Sequence, residues 1–358
     1  MRQLPTSGFY RQAAGAVLLT LLFGCSPADD GGPRTDAAAA PQSPAARPQP
    51  AVAADPLPSW NDGATKQQIL DFVARVTDPG NPDFVPADER IATFDNDGTL
   101  WSEQPLYFQL LFARDRVLAM AAEHPEWREE QPFKAVLEDD KATLATFGLR
   151  ELGQIMMATH AGLTVSEFSL IARQWLDTAR HPRFDRPFDR VIYQPMLEVL
   201  AYLRANGFKT FIVSGGGIEF IRTFAEDAYG IPPDQVVGSS IVTEFRTDAD
   251  RSFLVKLPEL NFNDDKEGKP VAINLHIGQR PIAAFGNSDG DLQMLQYAAG
   301  GETASLAVFV HHDDGEREYA YDRESHIGRL DKGLDEAAER GWTVISMRDD
   351  WASIFPDK

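Results

Sequence analysis

The chain has 358 residues, of which 43% are hydrophobic and 25% charged, and this composition is ordinary for a globular protein. The length suits one large domain or a domain with a sizeable insertion. The 54 acidic residues outnumber the 34 Lys and Arg residues and give a net charge of −20. A field of that sign repels polyanions, so we expect no nucleic-acid partner, and an anionic substrate would need a local metal ion or lysine.

The first 24 residues have the pattern of an export signal. Basic residues precede a short apolar stretch, 13–23, which ends at Gly24 and Cys25. This stretch is too short to be a membrane span. Residues 22–25 resemble the end of a bacterial lipoprotein signal, in which the cysteine is lipidated and becomes the new N-terminus. The alternative is a simple secretory peptide with an incidental cysteine.

A lipid on Cys25 would attach the protein to a membrane through that anchor alone, because no apolar run after residue 24 is long enough to span a bilayer. We therefore expect a periplasm-facing lipoprotein of the bacterial cell envelope, with the outer membrane favoured over the inner membrane, or a secreted protein. Cys25 is the single cysteine, so the mature chain has no internal disulfide. Residues 25–58 are rich in Ala and Pro and should form a semi-extended tether.

Globular patterning begins at Trp60, where an apolar face over residues 69–76 predicts a first helix. The apolar run Ile91–Phe94 predicts a buried strand. The next predicted elements are helices at 107–122, 149–158, 165–179 and 195–205, a strand at 209–213 and a helix at 218–229. Residues 241–245 and 253–256 are predicted to pair as a small hairpin. The last predicted elements are helices at 269–276 and 291–297, and strands at 282–285, 306–310 and 343–347.

Strands that alternate with helices predict an α/β fold, namely a Rossmann-like parallel sheet with helices on both faces. The block of helices after the first strand interrupts this alternation and is interpreted as an insertion. We therefore predict a core domain formed by residues 59–101 and 191–358, and a helical cap formed by residues 102–190.

Two aspartates directly follow the first predicted strand. Asp95 and Asp97 can both project into the crevice at the strand end, where open α/β sheets bind ligands, and Gly98 allows a tight turn after them. Carboxylates crowded in this way repel each other unless a cation bridges them or one takes up a proton. Magnesium prefers oxygen ligands and phosphate, and is the expected bridging ion.

Residues 95–99, Asp-Asn-Asp-Gly-Thr, resemble the first motif of the haloacid-dehalogenase-like superfamily, Asp-x-Asp-x-Thr after the first strand. Three further stretches resemble the later motifs in the same order. Ser214 and the glycines after it resemble the second motif, Lys269 resembles the third-motif lysine, and residues 286–291 resemble the fourth motif. The resemblance covers roughly residues 90–310 and is nearest to phosphoserine-phosphatase-like members, which also carry a helical cap between the first two motifs.

This resemblance implies a phosphatase that hydrolyses a small-molecule phosphate monoester with the help of Mg²⁺. Asp95 would attack the phosphorus and form an aspartyl-phosphate, and Asp97 would act as the general acid and base. An aspartate at the position of Asp97 favours phosphoester hydrolysis over the chemistry of dehalogenase-like or ATPase-like members. The residues implied to bind the phosphoryl group are Ser214, Gly215 and Lys269. The implied metal ligands are Asp95, Asp97, Asn287 and Asp291.

Two other functions stay open at this point. One is a phosphotransferase that uses the same intermediate with an alcohol as the acceptor, and no residue separates it from a phosphatase. The other is a surface lipoprotein that has lost activity and only binds a phosphorylated ligand. No motif identifies the substrate, which the cap would select, or an oligomeric state.

One of the implied residues departs from the family pattern, and another has an alternative nearby. Relatives usually carry an aspartate at the position of Asn287, and a neutral amide oxygen should bind magnesium more weakly. Asp289 is an extra carboxylate that is available to compensate. Lys266 is the alternative to Lys269, which is preferred because the apolar residues 271–273 follow it and place it at the start of a packed helix.

A few other polar and aromatic residues are weaker candidates. A predicted strand is followed by His311, His312 and Asp313. These residues either reach the crevice or a second metal, or they form a solvated loop, which is the more common arrangement. His160 and Trp101 are candidates for contact with substrate from the cap side. A surface position is expected for His160 and core packing for Trp101.

Overall fold

The computed structural model describes residues 55–356, except for the side chain of Leu149. The predicted signal segment, Cys25 and most of the predicted tether lie outside the described residues. The last four tether residues, 55–58, already contact the globular domain. Leu57 is fully buried, and the Asp55 carboxylate lies 2.7 Å from the Lys66 ammonium. Packing against the core therefore begins before Trp60.

The centre of the molecule is an eight-stranded sheet. The strands are β1 (Ile91–Phe94), β2 (Lys209–Gly217), β3 (Val236–Asp248), β4 (Arg251–Phe262), β5 (Ala283–Gly286), β6 (Leu306–Asp313), β7 (Ala320–Tyr321) and β8 (Thr343–Ser346). Their order is β4-β3-β2-β1-β5-β6-β7, and β8 pairs with β6. The pairs β3–β2, β2–β1, β1–β5, β5–β6 and β6–β8 are parallel. The predicted α/β fold with a mostly parallel sheet is confirmed.

Helices cover both faces of this sheet. They are α1 (Ala64–Thr77), α2 (Phe108–Met120), α3 (Phe133–Leu137), α4 (Lys141–Leu144), α5 (Leu149–His160), α6 (Val165–Thr178), α7 (Gln194–Ala205), α8 (Ile218–Arg222), α9 (Ala225–Tyr229), α10 (Gly268–Ala272), α11 (Leu292–Ala299), α12 (Lys332–Arg340) and α13 (Met347–Asp350). Alternate strand residues enter two separate apolar clusters, one with Phe94 and Phe285 and the other with Val213 and Ala284. This arrangement explains why β1 is a continuous apolar run, because all four of its residues are buried.

The helices α2 to α6 lie between β1 and β2 in the chain, as the interrupted alternation predicts. They enclose a small apolar cluster of their own, which contains Ala113, Val117, Trp127, Val136 and Ile155. Helix α6 begins with a capping box, in which the Thr164 hydroxyl accepts from the backbone N–H of Glu167 and the Glu167 carboxylate accepts from the backbone N–H of Thr164.

The hairpin formed by β3 and β4 is much longer than predicted. The buried residues are the first three of β3 and Val255 and Lys256 in β4, and most of the others are exposed, so the hairpin shows little of the apolar alternation from which a strand is predicted. The predicted helix at 218–229 is divided into α8 and α9, and the one at 269–276 continues from α10 as a π-helical turn, Ile273–Ile277. Across residues 55–356, none of the helices combines the length and apolar character that a bilayer crossing requires.

Candidate active site

Three neighbouring strands bring the predicted site residues to one edge of the sheet. In the register of β1 with β2 and β5, Phe94 is level with Ile212 and Phe285. Asp95 follows β1 directly, and its backbone N–H donates to the Phe285 carbonyl at 2.9 Å. Because the carboxyl ends of parallel strands meet at the same edge, Asp95, the Ser214 end of β2 and the loop after β5 become neighbours.

Lys269 connects the nucleophile candidate to the fourth-motif loop. Its Nζ donates to Asp95 Oδ1 at 2.7 Å and to the carbonyl oxygen of Val213 at 2.8 Å, and lies 2.6 Å from Asp291 Oδ1. The lysine is 1% exposed, at the start of α10. Lys266, three residues earlier, is exposed. The structure thus brings Lys269 rather than Lys266 to the strand ends.

Burial sets the electrostatics of this group of side chains. Burial and the repulsion from Asp291 raise the pKa of Asp95 well above its usual range, and the nearby Lys269 ammonium opposes that rise. Burial disfavours the charged form of Lys269, but Asp291 and Asp95 outweigh it, so the pKa of the ammonium is raised and the lysine stays charged. An ionised Asp95 therefore depends on its contact with Lys269 or on a further cation.

Asp97 is held by the turn that follows β1. Its Oδ1 accepts from the indole Nε1–H of Trp101 at 2.9 Å, while the Trp101 ring stacks on Phe224 with 4.3 Å between ring centroids. Trp101 is buried in the core, as expected, and also positions Asp97. Burial raises the pKa of Asp97, and the Trp101 hydrogen bond works against that rise.

Gly98 is required by this turn for two reasons. Its φ of +74° lies in the left-handed region. In addition, a Cβ atom at this position would lie 2.0 Å from Asn287 Nδ2 and 2.5 Å from Glu103 Oε1. The first motif is thus packed directly against the fourth-motif side chain.

Residues 214–217, the irregular end of β2 that is called the Ser214 loop below, lie close to Asp97. Ser214 is buried, and its Oγ accepts from the backbone N–H of Gly216 at 3.1 Å. A Cβ built on Gly216 would be 3.5 Å from Asp97 Oδ2, which shows how closely the loop backbone approaches that carboxylate. Gly215 is exposed at the tip of the loop. On the cap side, Gln109 Oε1 accepts from the backbone N–H of Gly217 at 2.7 Å.

Asp291 organises the fourth-motif loop. Its Oδ2 accepts from the backbone N–H groups of Asn287 and Ser288 at 2.9 and 3.0 Å. Asp289, the carboxylate expected to be available for the metal, is turned elsewhere. Its Oδ1 accepts from the backbone N–H groups of Asp331 and Gly333 at the start of α12, at 3.0 and 2.9 Å. Asp289 is therefore engaged at a helix N-terminus and is not a compensating ligand in this arrangement.

The donor set at the strand ends suits a hard divalent cation. Within residues 55–356, no three Asp, Glu, His or Cys side chains form a metal-holding group by themselves. Position 287 supplies an amide, and the Lys269 ammonium contacts both Asp95 and Asp291. The Lys269 ammonium contributes one positive charge to a region whose acidic side chains are Asp95, Asp97, Glu103, Asp264, Asp265 and Asp291. This excess of buried oxygen donors and negative charge is what Mg²⁺ would neutralise.

Sequence reasoning missed Glu103 and Gln109. Glu103 is 1% exposed, and its Oε1 accepts from Asn287 Nδ2 at 2.7 Å and from the Tyr321 hydroxyl at 2.8 Å. Burial raises the pKa of Glu103 well above its usual range, although the Tyr321 and Asn287 hydrogen bonds oppose this. Neither residue belongs to a recognisable motif, because their partners are far away in the chain.

The weaker histidine candidates occupy different places. His160 is 4% exposed, so the expected surface position was wrong. Its Nε2 lies 3.3 Å from Gln109 Nε2, and burial lowers its pKa to about 3, so the ring is neutral. His312 is buried, with its Nε2 2.7 Å from the Gly98 carbonyl, and His311 is partly exposed. Asp313 accepts from the Ser346 hydroxyl at 2.6 Å.

The mostly parallel sheet carries aspartates, a serine hydroxyl and a buried lysine at the ends of its central strands. The family model described as haloacid dehalogenase-like hydrolase matches residues 92–296, which is more than half of the chain. The chain belongs to this family. A search of the curated proteins finds no match.

The solved structures that match this chain have low sequence identity to it. A functionally unknown protein from Anaerococcus prevotii is 17% identical, with a TM-score of 0.47, over 82% of this chain and 94% of that one. A protein of unknown function from Bordetella pertussis is 15% identical, with a TM-score of 0.45, over 72% and 98%. A phosphoserine phosphohydrolase-like protein from Francisella tularensis is 18% identical, with a TM-score of 0.36, over 70% and 99%.

Proposed function

We propose that the protein is a magnesium-dependent phosphatase that hydrolyses a small-molecule phosphate monoester through an aspartyl-phosphate on Asp95. The observation that carries this proposal is the contact between the Asp95 carboxylate and Lys269, which also donates to the Val213 carbonyl next to Ser214, while the backbone at Gly216 closely approaches Asp97. A carboxylate at a strand end, beside a buried ammonium and a hydroxyl, has the groups that phosphoryl transfer needs. Membership of the haloacid dehalogenase-like hydrolase family supports the same reading.

In the first step, an Asp95 carboxylate oxygen attacks phosphorus and forms a new P–O bond as the ester P–O bond breaks. Asp97 gives its proton to the leaving alkoxide oxygen. Its raised pKa, caused by burial, suits a group that must hold a proton at the start of this step. The Trp101 indole N–H then stabilises the carboxylate that remains.

In the second step, water attacks the phosphorus of the aspartyl-phosphate. Asp97, now ionised, accepts a proton from that water, and the P–O bond to Asp95 breaks, so that inorganic phosphate leaves and both carboxyl groups return to their first state. In both steps Lys269 and Ser214 bind oxygens of the phosphoryl group, where negative charge must be stabilised.

The residues that would hold Mg²⁺ are Asp95, Asp97, Asn287 and Asp291. When bound, the ion would neutralise charge on the phosphoryl oxygens and on the crowded carboxylates. Lys269 and the ion would then share the task of keeping Asp95 ionised. With this division, Lys269 alone would not have to balance the charge of all of the acidic groups.

The cap would select the substrate. Gln109 links helix α2 to the backbone of the Ser214 loop, and the neutral His160 ring lies behind it. These are neutral polar groups beside a strongly acidic core, so we expect a small substrate whose charge is concentrated in its phosphate. The phosphate would be attracted by Lys269 and the metal rather than by the protein as a whole.

The proposal is tested by phosphate release from a broad panel of phosphate esters, with and without Mg²⁺. Asp95→Asn should lower turnover by on the order of 10⁴-fold or more, as removal of a nucleophile does elsewhere. The matched control is Asp88→Asn, which makes the same change at an exposed position just before β1 and should leave turnover unchanged. Substantial hydrolysis by the Asp95 variant would contradict the assignment.

Two further measurements separate the alternative functions. Mass spectrometry after acid quenching should detect one phosphate on the wild-type chain. Adding an alcohol to the reaction distinguishes a phosphotransferase, because a new phosphate ester would then form at the expense of inorganic phosphate. If no ester in the panel is hydrolysed by the wild-type protein, the ligand-binding alternative gains support.

A further inference from the structure

A buried histidine and a buried glutamate lie beside the turn that follows β1. His312, near the end of β6, is 2% exposed, and Glu318 is completely buried. His312 Nε2 lies 2.7 Å from the Gly98 carbonyl oxygen, and His312 Nδ1 lies 3.4 Å from Glu318 Oε2. Burying ionisable groups costs free energy unless they are paired and hydrogen-bonded, and the proposed reaction uses neither side chain, so the pair needs another explanation.

The partners of the two side chains define which atoms donate. A separation of 2.7 Å is that of an N–H···O hydrogen bond, and a backbone carbonyl only accepts, so His312 Nε2 donates to Gly98. Burial acts to raise the pKa of Glu318, but the contact with His312 and the hydrogen bonds from Ser102 and a backbone N–H outweigh it and lower the pKa. Glu318 is therefore an ionised acceptor.

Neighbouring groups hold both side chains of the pair in place. Glu318 Oε1 accepts from the Ser102 hydroxyl, and the Tyr193 hydroxyl lies 3.3 Å from the same oxygen. The His312 ring stacks on the Tyr321 ring with 4.3 Å between the ring centroids. A buried network whose members all have partners favours one arrangement of its side chains.

The pair contacts both ends of one short segment, residues 98–102. The histidine donates to the carbonyl at the start of this segment, and the glutamate accepts from the hydroxyl at its end. Between these two contacts lies Trp101, whose indole N–H donates to Asp97 Oδ1 at 2.9 Å. The segment that holds the Asp97 carboxylate is thus itself held from behind by the pair.

We propose that His312 and Glu318 are positioning residues for Asp97. By fixing residues 98–102 at both ends, the pair keeps the Trp101 indole in contact with the carboxyl group that protonates the leaving oxygen. The inference rests on the proposed function, in which Asp97 is the general acid and base. A displacement of about 1 Å in a catalytic group can lower the rate on the order of 100-fold, even when the substituted residue is remote from the chemistry.

A loss of positioning differs from a loss of stability in its dependence on the leaving group. Protonation by Asp97 matters most for an alkyl ester, whose alcohol leaves as a strong base, and least for p-nitrophenyl phosphate, whose phenolate is a weak base. Partial unfolding instead lowers kcat/KM for both esters by the same factor, because only the amount of active protein changes.

The first test compares kcat/KM for glycerol 2-phosphate, or the fastest alkyl ester of the panel, with that for p-nitrophenyl phosphate. His312→Phe keeps an aromatic ring but removes the donor, and the alkyl ester should lose about 10- to 100-fold more than the aryl ester. His312→Gln, which can still donate to the Gly98 carbonyl, should recover most of this loss. Ser102→Ala should show the same pattern as His312→Phe, and its small change in volume keeps the test possible if the latter variant does not fold.

The second test needs no turnover and follows the indole N–H of Trp101 by NMR in the full-length chain. Its resonance is assigned from its absence in Trp101→Phe. A buried N–H that donates to Asp97 should exchange slowly with solvent, and His312→Phe and Ser102→Ala should accelerate this exchange. His276→Phe, which alters an exposed histidine, is the control for both tests and should change neither quantity.

The outcomes separate this inference from the proposed function. An equal loss of kcat/KM for both esters, or an unchanged exchange of the Trp101 indole N–H, would show that the pair does not position Asp97 even where the enzyme is active. If the indole exchange responds as expected but the wild type hydrolyses no ester, the positioning of Asp97 stands and the phosphatase assignment fails. A wild type without hydrolysis whose indole exchange is also insensitive to both variants overturns both.

Discussion

Replacing Lys269 with methionine tests the charge balance of the site directly. The Lys269 ammonium lies 2.7 Å from Asp95 and 2.6 Å from Asp291, and the side chain is 2% exposed. With an effective dielectric constant of about 20, each contact contributes roughly 6 kcal/mol of Coulomb attraction, of which burial of the ammonium removes several kcal/mol. Methionine keeps most of the volume but leaves the acids without a partner. We expect a loss of about 3–5 kcal/mol in the free energy of unfolding.

The loss should depend on pH in a defined direction. Without the ammonium, the pKa of Asp95, already raised by burial, should rise further, so the folded variant binds a proton that the unfolded chain does not. Binding of that proton stabilises the folded state at low pH, and this stabilisation is lost as the pH rises through the raised pKa. The difference between variant and wild type should therefore be largest at pH 8 and should shrink toward pH 5.

Thermal unfolding in the absence of divalent ions measures this effect. At pH 8 the melting temperature of Lys269→Met should fall by on the order of 5–10 °C, and hydrolysis should be abolished. Lys266→Met is the matched control, because Lys266 is an exposed lysine three residues away, and it should change neither quantity. Equal destabilisation at pH 5 and pH 8, or a larger effect at Lys266, would refute the reasoning.

Three more predictions concern single residues. Trp101→Phe removes the donor to Asp97 but keeps the ring, so the pKa of Asp97 should rise and turnover should fall about 10- to 100-fold; an unchanged pH–rate profile would contradict this. Asp264 is fully buried, both of its carboxylate oxygens lack a hydrogen-bond partner among residues 55–356, and burial raises its pKa from 3.8 to about 7. Its charge is therefore unfavourable above pH 7, so Asp264→Asn should raise the free energy of unfolding by up to about 4 kcal/mol at pH 8 and by nothing near pH 4, as denaturant titrations at both pH values would show. We also propose that the chain is a cell-envelope lipoprotein, so Cys25→Ser should release it from the membrane fraction, and a wild type found wholly in the soluble periplasmic fraction would exclude the anchor.

The central part of the fold was predictable from the sequence because its signals are local. The run Ile91–Phe94 is apolar except for the buried Thr93, since helices cover both faces of β1, and it was predicted with its observed bounds. The hairpin β3–β4 was predicted only in part, at 241–245 and 253–256, and neither the buried start of β3 at 236–238 nor the exposed residues at the tip were included. The periodicity of apolar residues in a sequence reflects burial, so the exposed part of an element that projects from the core is predicted less well.

The grouping of the candidate site follows from a simple rule of topology. Asp95, Ser214 and Asn287 each come at or near the end of a strand, and parallel strands place these ends together. The residue types and their order were therefore enough to predict that these residues gather at one edge of the sheet. Their roles in binding and catalysis remain predictions until the variants are measured.

Only the tertiary structure decided which partner each of these residues has. Lys266 and Lys269 are equally basic in the sequence, and it is the packing of α10 that buries Lys269 against Asp95. Glu103 and Asn287 are 184 positions apart, and no local pattern connects them. A hydrogen bond across such a distance in the chain depends on the position of whole strands and loops, so the sequence determined which groups are available and the fold determined which of them face each other.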